Sequence, residues 1–162
     1  MNEDHEARER FLITLDWLLA LNERYDNAVQ YGLLHVCFHD KQVLGDAYGA
    51  QHAIQLLTGL AARLRKAFRK TDLVARDGTE FWILIPYTEP QTVIDKVTQL
   101  VDMASQSGLD VVERDLAFFT VGGDHDTPMP STPQPMTSLQ YLDELRKRRQ
   151  ITHRWSTLAL TR

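Results

Sequence analysis

The stretch from Asp72 to Pro86 constrains the fold most. It reads Asp72-Leu73-Val74-Ala75-Arg76, then Asp77-Gly78, then Thr79-Glu80-Phe81-Trp82-Ile83-Leu84-Ile85-Pro86. Asp-Gly between two β-rich runs predicts a hairpin whose turn is Asp77-Gly78, with both residues at positive φ. Pro86 closes the second strand, because proline lacks the N–H a ladder needs.

Around this hairpin the apolar spacing alternates between helix and strand. Residues 4–28 read as a helix, with Phe11, Leu15 and Leu18 on one stripe. Leu33 to Phe38 is a short apolar run that fits a buried strand. Residues 49–70 form the clearest helix, with Ile54, Leu57, Ala61, Leu64 and Phe68 on one face and Arg63, Arg65, Lys66, Arg69 and Lys70 on the other. A further helix is predicted over 89–105, with Val93, Val97 and Leu100 inward, and a strand over 116–121. Residues 122–136 carry Gly122-Gly123 and four prolines, which predicts a surface loop. Residues 138–149 read as a helix, and Trp155 to Leu160 as a last strand. The pattern predicts an α+β fold, a mainly antiparallel central sheet flanked by helices. We divide it into an N-terminal helix, 1–30, and a domain over 31–162.

Bulk properties exclude several classes. The 162 residues suffice for one hydrophobic core, and the net charge of -4 argues against nucleic acid as a partner. A single cysteine, Cys37, excludes an internal disulfide and a cysteine-rich zinc site. No apolar run reaches the roughly 18 residues that span a bilayer, and the first ten residues hold no signal-peptide core. We expect a cytoplasmic protein with no membrane partner.

The hairpin resembles the signature of the GGDEF family, the diguanylate cyclases. There, Asp-x-x-x-Arg and one spacer precede Gly-Gly-Asp/Glu-Glu-Phe and an apolar strand ending in proline. Here Asp72, Arg76, Gly78, Glu80, Phe81 and Pro86 match it. Asp16, Leu18, Leu21 and Arg24 resemble the family's entry motif. Asp46-Ala47-Tyr48-Gly49 and Phe119-Thr120-Val121-Gly122 resemble two later ones, all in family order over roughly residues 16 to 122. The resemblance implies a nucleotidyl-cyclase, ferredoxin-like fold. The C-terminal forty residues match poorly, and the family's late Tyr-x-x-Lys motif is absent.

The same resemblance implies lost chemistry. The family holds magnesium over a triphosphate with two acids, which neutralise phosphate charge and align the attacking oxygen. Their positions fall on Cys37 and Thr79, a soft thiol and an uncharged hydroxyl. Guanine-reading positions fall on Gly45 and Ile54. The signature reads Asp77-Gly78-Thr79-Glu80-Phe81, one residue short and with Asp77 where an anion would sit. We expect no catalytic residue, no metal and no cofactor.

The family's product-binding Arg-x-x-Asp is kept as Arg69-Lys70-Thr71-Asp72, with Arg76 in register and Arg65 nearby. An arginine fork suits phosphate or the O6/N7 edge of guanine, and an aspartate accepts from guanine N–H groups. One reading is therefore a cyclic di-GMP receptor. The alternative is a protein-interaction or dimerisation module, acting as a homodimer or on a signalling partner through the N-terminal helix. An active cyclase is the third. In the bland reading, Arg69 closes a helix and simply pairs with Asp72. For Gly122 to Asp126 and His39-Asp40 we expect loop polarity rather than a metal, for Arg146 to Arg149 a solvated helix face, and for Cys37 a buried inert thiol.

Overall fold

The computed structural model describes residues 3–86, 89–123 and 136–155. Along the chain come α1 (Glu3–Arg24), β1 (Tyr31–Phe38), α2 (Lys41–Tyr48), α3 (Ala50–Ala67), β2 (Leu73–Asp77), β3 (Glu80–Pro86), α4 (Pro90–Ser105), β4 (Arg114–Val121), α5 (Ser138–Arg148) and β5 (His153–Trp155). The strands form one sheet in the order β2-β3-β1-β4-β5, and neighbours run antiparallel. This is the α+β arrangement the residue pattern predicts.

Strand side chains alternate between faces, so the sheet separates two apolar layers. Leu34, Val36 and Phe38 of β1 face α2, α3 and α4, packed with Leu57, Leu64, Val97 and Val101. Leu33, Trp82, Leu84, Ala117 and Phe119 face α1 and α5, packed with Phe11, Leu15, Leu18, Tyr141 and Leu145. Phe11 and Leu15 are fully buried, as their helical spacing predicts.

Several boundaries differ from the sequence reading, each for a local reason. The first helix stops at Arg24 rather than 28, because Asp26 and Asn27 turn left-handed at φ 56° and 58°. The Asn22 side chain then accepts from Val29 N–H and donates to its carbonyl, fixing the chain's entry into β1. Gly122 is also needed here, since a Cβ would lie 1.9 Å from the Val29 carbonyl oxygen. The sequence reading assigned no element to Lys41–Tyr48; with Leu44 as its one buried residue, α2 has little periodic signal.

The hairpin exists, but its turn lies one residue later than predicted. Asp77 pairs with Glu80, so the two loop residues are Gly78 and Thr79, not Asp77 and Gly78. Gly78 alone takes a positive φ, 63°. Glycine first in a two-residue loop is the arrangement of a type II′ turn. The Arg-rich helix is shorter too, ending at Ala67. Its inward face is Ala53, Leu57, Leu60, Ala61 and Leu64, while Ile54, predicted inward, is 54% exposed. The last strand is His153–Trp155, held by Thr152 N–H on the Leu116 carbonyl; residues 156–160 of the predicted strand lie outside the described residues. Asp124 to Asp126 and the four loop prolines lie outside them as well.

Candidate functional site

Helix α3 and strand β2 form the walls of two clefts. The first, about 500 Å³, is lined by Lys41, Gln42, Leu44 and Gly45 of α2, by Ala50, Ala53, Ile54 and Leu57 of α3, and by Arg76, Gly78 and Thr79 of the hairpin. Gly45, Ile54, Gly78 and Thr79, four positions that the resemblance assigns to nucleotide binding, therefore do converge. Around them the cleft offers apolar surface and two cations, Lys41 and Arg76, with no carboxylate among the described residues.

The magnesium that the resemblance implies does not fit these residues. Cys37 does not line the cleft. It alternates with Leu33 onto the α1 and α5 face, where Glu80 and Asp115 are its cross-strand partners. Burial first, and the nearby carboxylates second, push its thiol up to about 11, so it stays protonated, a poor ligand. The Thr79 carbonyl accepts from Phe38 N–H at 3.0 Å. Among the described residues, no group of three or more histidine, cysteine or acidic side chains is placed to hold a metal.

The second cleft, about 440 Å³, lies between α1 and the turn that follows α3. Its lining includes Arg10, Arg65, Phe68, Arg69, Lys70, Asp72 and Leu73. Arg69 lies beyond the helix rather than in its last turn. The Asp72 carboxylate accepts from the Arg69 backbone N–H at 3.2 Å, and Asp72 N–H donates to the Arg69 carbonyl at 2.9 Å. The Arg-x-x-Asp segment is thus a closed turn. Its aspartate binds backbone, and the Arg69 and Lys70 side chains stay exposed. Arg10, on α1, is exposed at the same cleft.

Arg65 and Arg76, both expected to face a ligand, are turned toward Asp4. This carboxylate, 6% exposed, takes Arg65 Nη2 at 2.9 Å and Arg76 Nε at 2.9 Å. Arg76 Nη1 also donates to the Gly78 carbonyl, at 2.6 Å. Asp77 lines neither of the two clefts and lies 3.7 Å from Arg8. Residue-type reasoning missed Asp4 and Arg10. A signal for Asp4 existed: it continues the buried stripe of Ala7, Phe11, Leu15, Leu18 and Asn22. A carboxylate on such a stripe needs a buried cationic partner.

Glu80 and Phe81, the end of the signature, do structural work. Phe81 is fully buried. Glu80 accepts from His35 Nε2 and from Arg146 Nε, each at 2.7 Å. Burial, the largest single influence, would raise its carboxyl, but these hydrogen bonds and the charge of their donors together outweigh it and hold it at about 2. His35 is buried and stacked on Trp82 at 4.1 Å; burial lowers its pKa, so it stays neutral. On the same face Asp115 binds His39 Nε2 at 2.8 Å and Arg149 Nη2 at 2.6 Å. The Arg146 to Arg149 run is therefore not a wholly solvated face. Two of its members fasten the end of α5 to β3 and β4.

The sequence matches the family described as diguanylate cyclase, GGDEF domain, over residues 7–117. No curated protein sequence matches the chain. Among solved structures it is similar to the GGDEF domain of DgcB from Caulobacter crescentus, solved with cyclic di-GMP, at 19% identity and TM-score 0.56, covering 70% of this chain and 69% of that one. It is similar to a microbial GGDEF domain solved with cyclic di-GMP, at 12% identity and TM-score 0.60, covering 86% and 82%. The GGDEF domain of YfiN (TpbB) from Pseudomonas aeruginosa is 19% identical at TM-score 0.57, covering 96% of each chain. With more than half of its length in that match and the five-stranded antiparallel sheet of those domains, the chain belongs to the GGDEF family.

Proposed function

We propose that this GGDEF domain makes no cyclic di-GMP and serves as a regulatory receptor for it, with Arg69 as the principal contact. One observation carries the reading: among the described residues the 500 Å³ cleft has no carboxylate, whereas the 440 Å³ cleft presents Arg10, Arg69 and Lys70 to solvent. Phosphoryl transfer to a triphosphate needs divalent charge held in place, and an acid-free lining gives a hard cation nothing to bind. A cyclic dinucleotide needs cations for two phosphates and a fork for guanine, which exposed arginines supply. Two similar GGDEF domains were solved with cyclic di-GMP, which supports this choice of ligand.

Asp72 acts here as the brace of the turn that aims Arg69. Arg65 and Arg76 contribute field from behind Asp4 rather than direct contact. The domain division, an N-terminal helix over 1–30 and the remainder over 31–162, also belongs to this proposal, with α1 supplying the cleft's second wall through Arg10.

Isothermal titration of cyclic di-GMP, GTP and GMP separates the possibilities. We expect saturable binding of cyclic di-GMP and about 2.7 kcal/mol of stabilisation at one hundred times Kd, both abolished by Arg69→Ala. No heat with the wild-type chain ends the receptor reading. Cyclic product formed from GTP with Mg²⁺ or Mn²⁺ ends the claim that it is not a cyclase.

A further inference from the structure

The 500 Å³ cleft has the size and the lining of a small-molecule site, hydrocarbon walls with a few polar groups. Leu44 of α2 and Ala53 and Leu57 of α3 are buried along it. Ile54, the next lining residue of α3, is 54% exposed, a large apolar side chain that the core does not use. A Cβ added at Gly45 would meet nothing within 4 Å, so the α2 wall is open there.

Charge at this cleft has one sign. Arg76 is already engaged, by the Asp4 carboxylate through Nε and by the Gly78 carbonyl through Nη1. Lys41 is exposed and makes no ion pair among the described residues. Helix α2 starts at Lys41 without a side-chain cap. The first N–H groups of a helix lack intrahelical acceptors, and here they belong to Lys41 and Gln42, both lining residues.

We infer that this cleft binds a small apolar monoanion, a carboxylate on a hydrocarbon body, and needs no metal to do so. The carboxylate sits on Lys41 and on the N–H groups that open α2, and the body lies against Leu44, Ala53, Ile54 and Leu57. One unpaired cation selects one negative charge. A polyphosphate would bring several charges to a site with no acid among the described residues to hold a neutralising metal. A neutral ligand would gain nothing from Lys41, and a cationic one would be repelled. Most of the affinity comes from the hydrocarbon, because an exposed ion pair contributes little by itself. Neither Lys41 nor Ile54 lines the Arg69 cleft, so this site and the receptor site proposed there succeed or fail separately.

Isothermal titration of the whole chain with octanoate tests this, beside acetate, octan-1-ol and octylammonium. Octanoate should bind saturably at one site, unchanged by a metal chelator. Acetate, which lacks the body, should bind at least about tenfold more weakly. Octan-1-ol should bind about threefold to fivefold more weakly, and octylammonium more weakly still. Lys41→Gln should weaken octanoate by the same about threefold to fivefold, and Ile54→Glu by about tenfold or more. Gly45→Leu should abolish binding by filling the cleft, and it should not unfold the chain, because the position is helical and open. Melting curves of the three variants without ligand should show them folded. No saturable heat with octanoate up to about 10 mM, a concentration at which even weak sites fill, overturns the proposal. Equal binding of octan-1-ol and octylammonium overturns the anion selectivity. Octanoate affinity unchanged in Ile54→Glu and Gly45→Leu places the ligand elsewhere and overturns the site.

Discussion

The two clefts share α3 and β2 as walls yet differ in chemistry, and the difference comes from which half of α3 each one uses and from what faces it. At the N-terminal half, Ala50, Ala53, Ile54 and Leu57 look across at α2 and the Gly78-Thr79 turn, and among the described residues no acid lines the space. At the C-terminal half, Arg65 is followed by Arg69 and Lys70, and α1 closes the other side with Arg10. Asp4 stands behind both, tying Arg65 of one cleft to Arg76 of the other. A shared scaffold can therefore carry two clefts of similar volume and different charge, because the sheet constrains the core residues and not those on its rim.

The largest way to break this comparison is to detach α1. Phe11 is fully buried against the sheet, and Phe11→Ala should cost about 3–5 kcal/mol in denaturant unfolding. Any binding to the Arg10 and Arg69 cleft should weaken with it, because that cleft alone has α1 as a wall. Asp4→Ala comes next, at about 2 kcal/mol, because Arg76 loses its counter-charge and Arg65 keeps only the exposed Glu3, at 3.7 Å. A variant as stable as wild type would show that these ion pairs contribute nothing.

Acid sharpens the comparison by loosening a third region, the α5 latch, which lines neither cleft. His35 is lowered by burial, so its contribution is complete above pH 6.5 and declines as pH falls below that. Glu80 is held at about 2 against an ordinary 4.5, so its contribution is complete above pH 4.5 and is lost as pH falls from there toward 2. Unfolding measured against pH should decline in two stages, the lower on the order of 2 kcal/mol and absent in Glu80→Gln. The smallest effect falls at the hairpin. Gly78→Ala should cost about 1 kcal/mol, read as a lower denaturation midpoint, because φ is 63° while a Cβ meets nothing within 4 Å. That loss should leave the Arg69 cleft's binding unchanged.

Much of the architecture was legible in the residues. Phe11, Leu15 and Leu18 named the buried side of α1, and the β-rich runs around Gly78 named the hairpin. The turn register was not legible, because Asp77-Gly78 and Gly78-Thr79 both offer a glycine with its free choice of φ, and only the pairing of Asp77 with Glu80 separates them. Helix α2 was hidden by having Leu44 as its single buried side chain. In the candidate site, the positions Gly45, Ile54, Gly78, Thr79, Arg69 and Asp72 were all named from sequence, yet the partners of Arg65, Arg76, Glu80 and Arg146 were not. Asp4 and Arg76 are separated by 72 residues, and Glu80 and Arg146 by 66. Local spacing carries no information about such pairs.

By itself the sequence determined the alternation of helix and strand, the family, and the absence of acid at Cys37 and Thr79, because each of these is a property of residue type and short-range order. Tertiary structure alone decided which cations remain free. Arg65, Arg69 and Arg76 are equivalent as letters, but folding α1 across the sheet edge delivers the Asp4 carboxylate to two of them and leaves the third in solvent. Charge pairing over tens of residues depends on where the chain returns in space, and only the packed core specifies that.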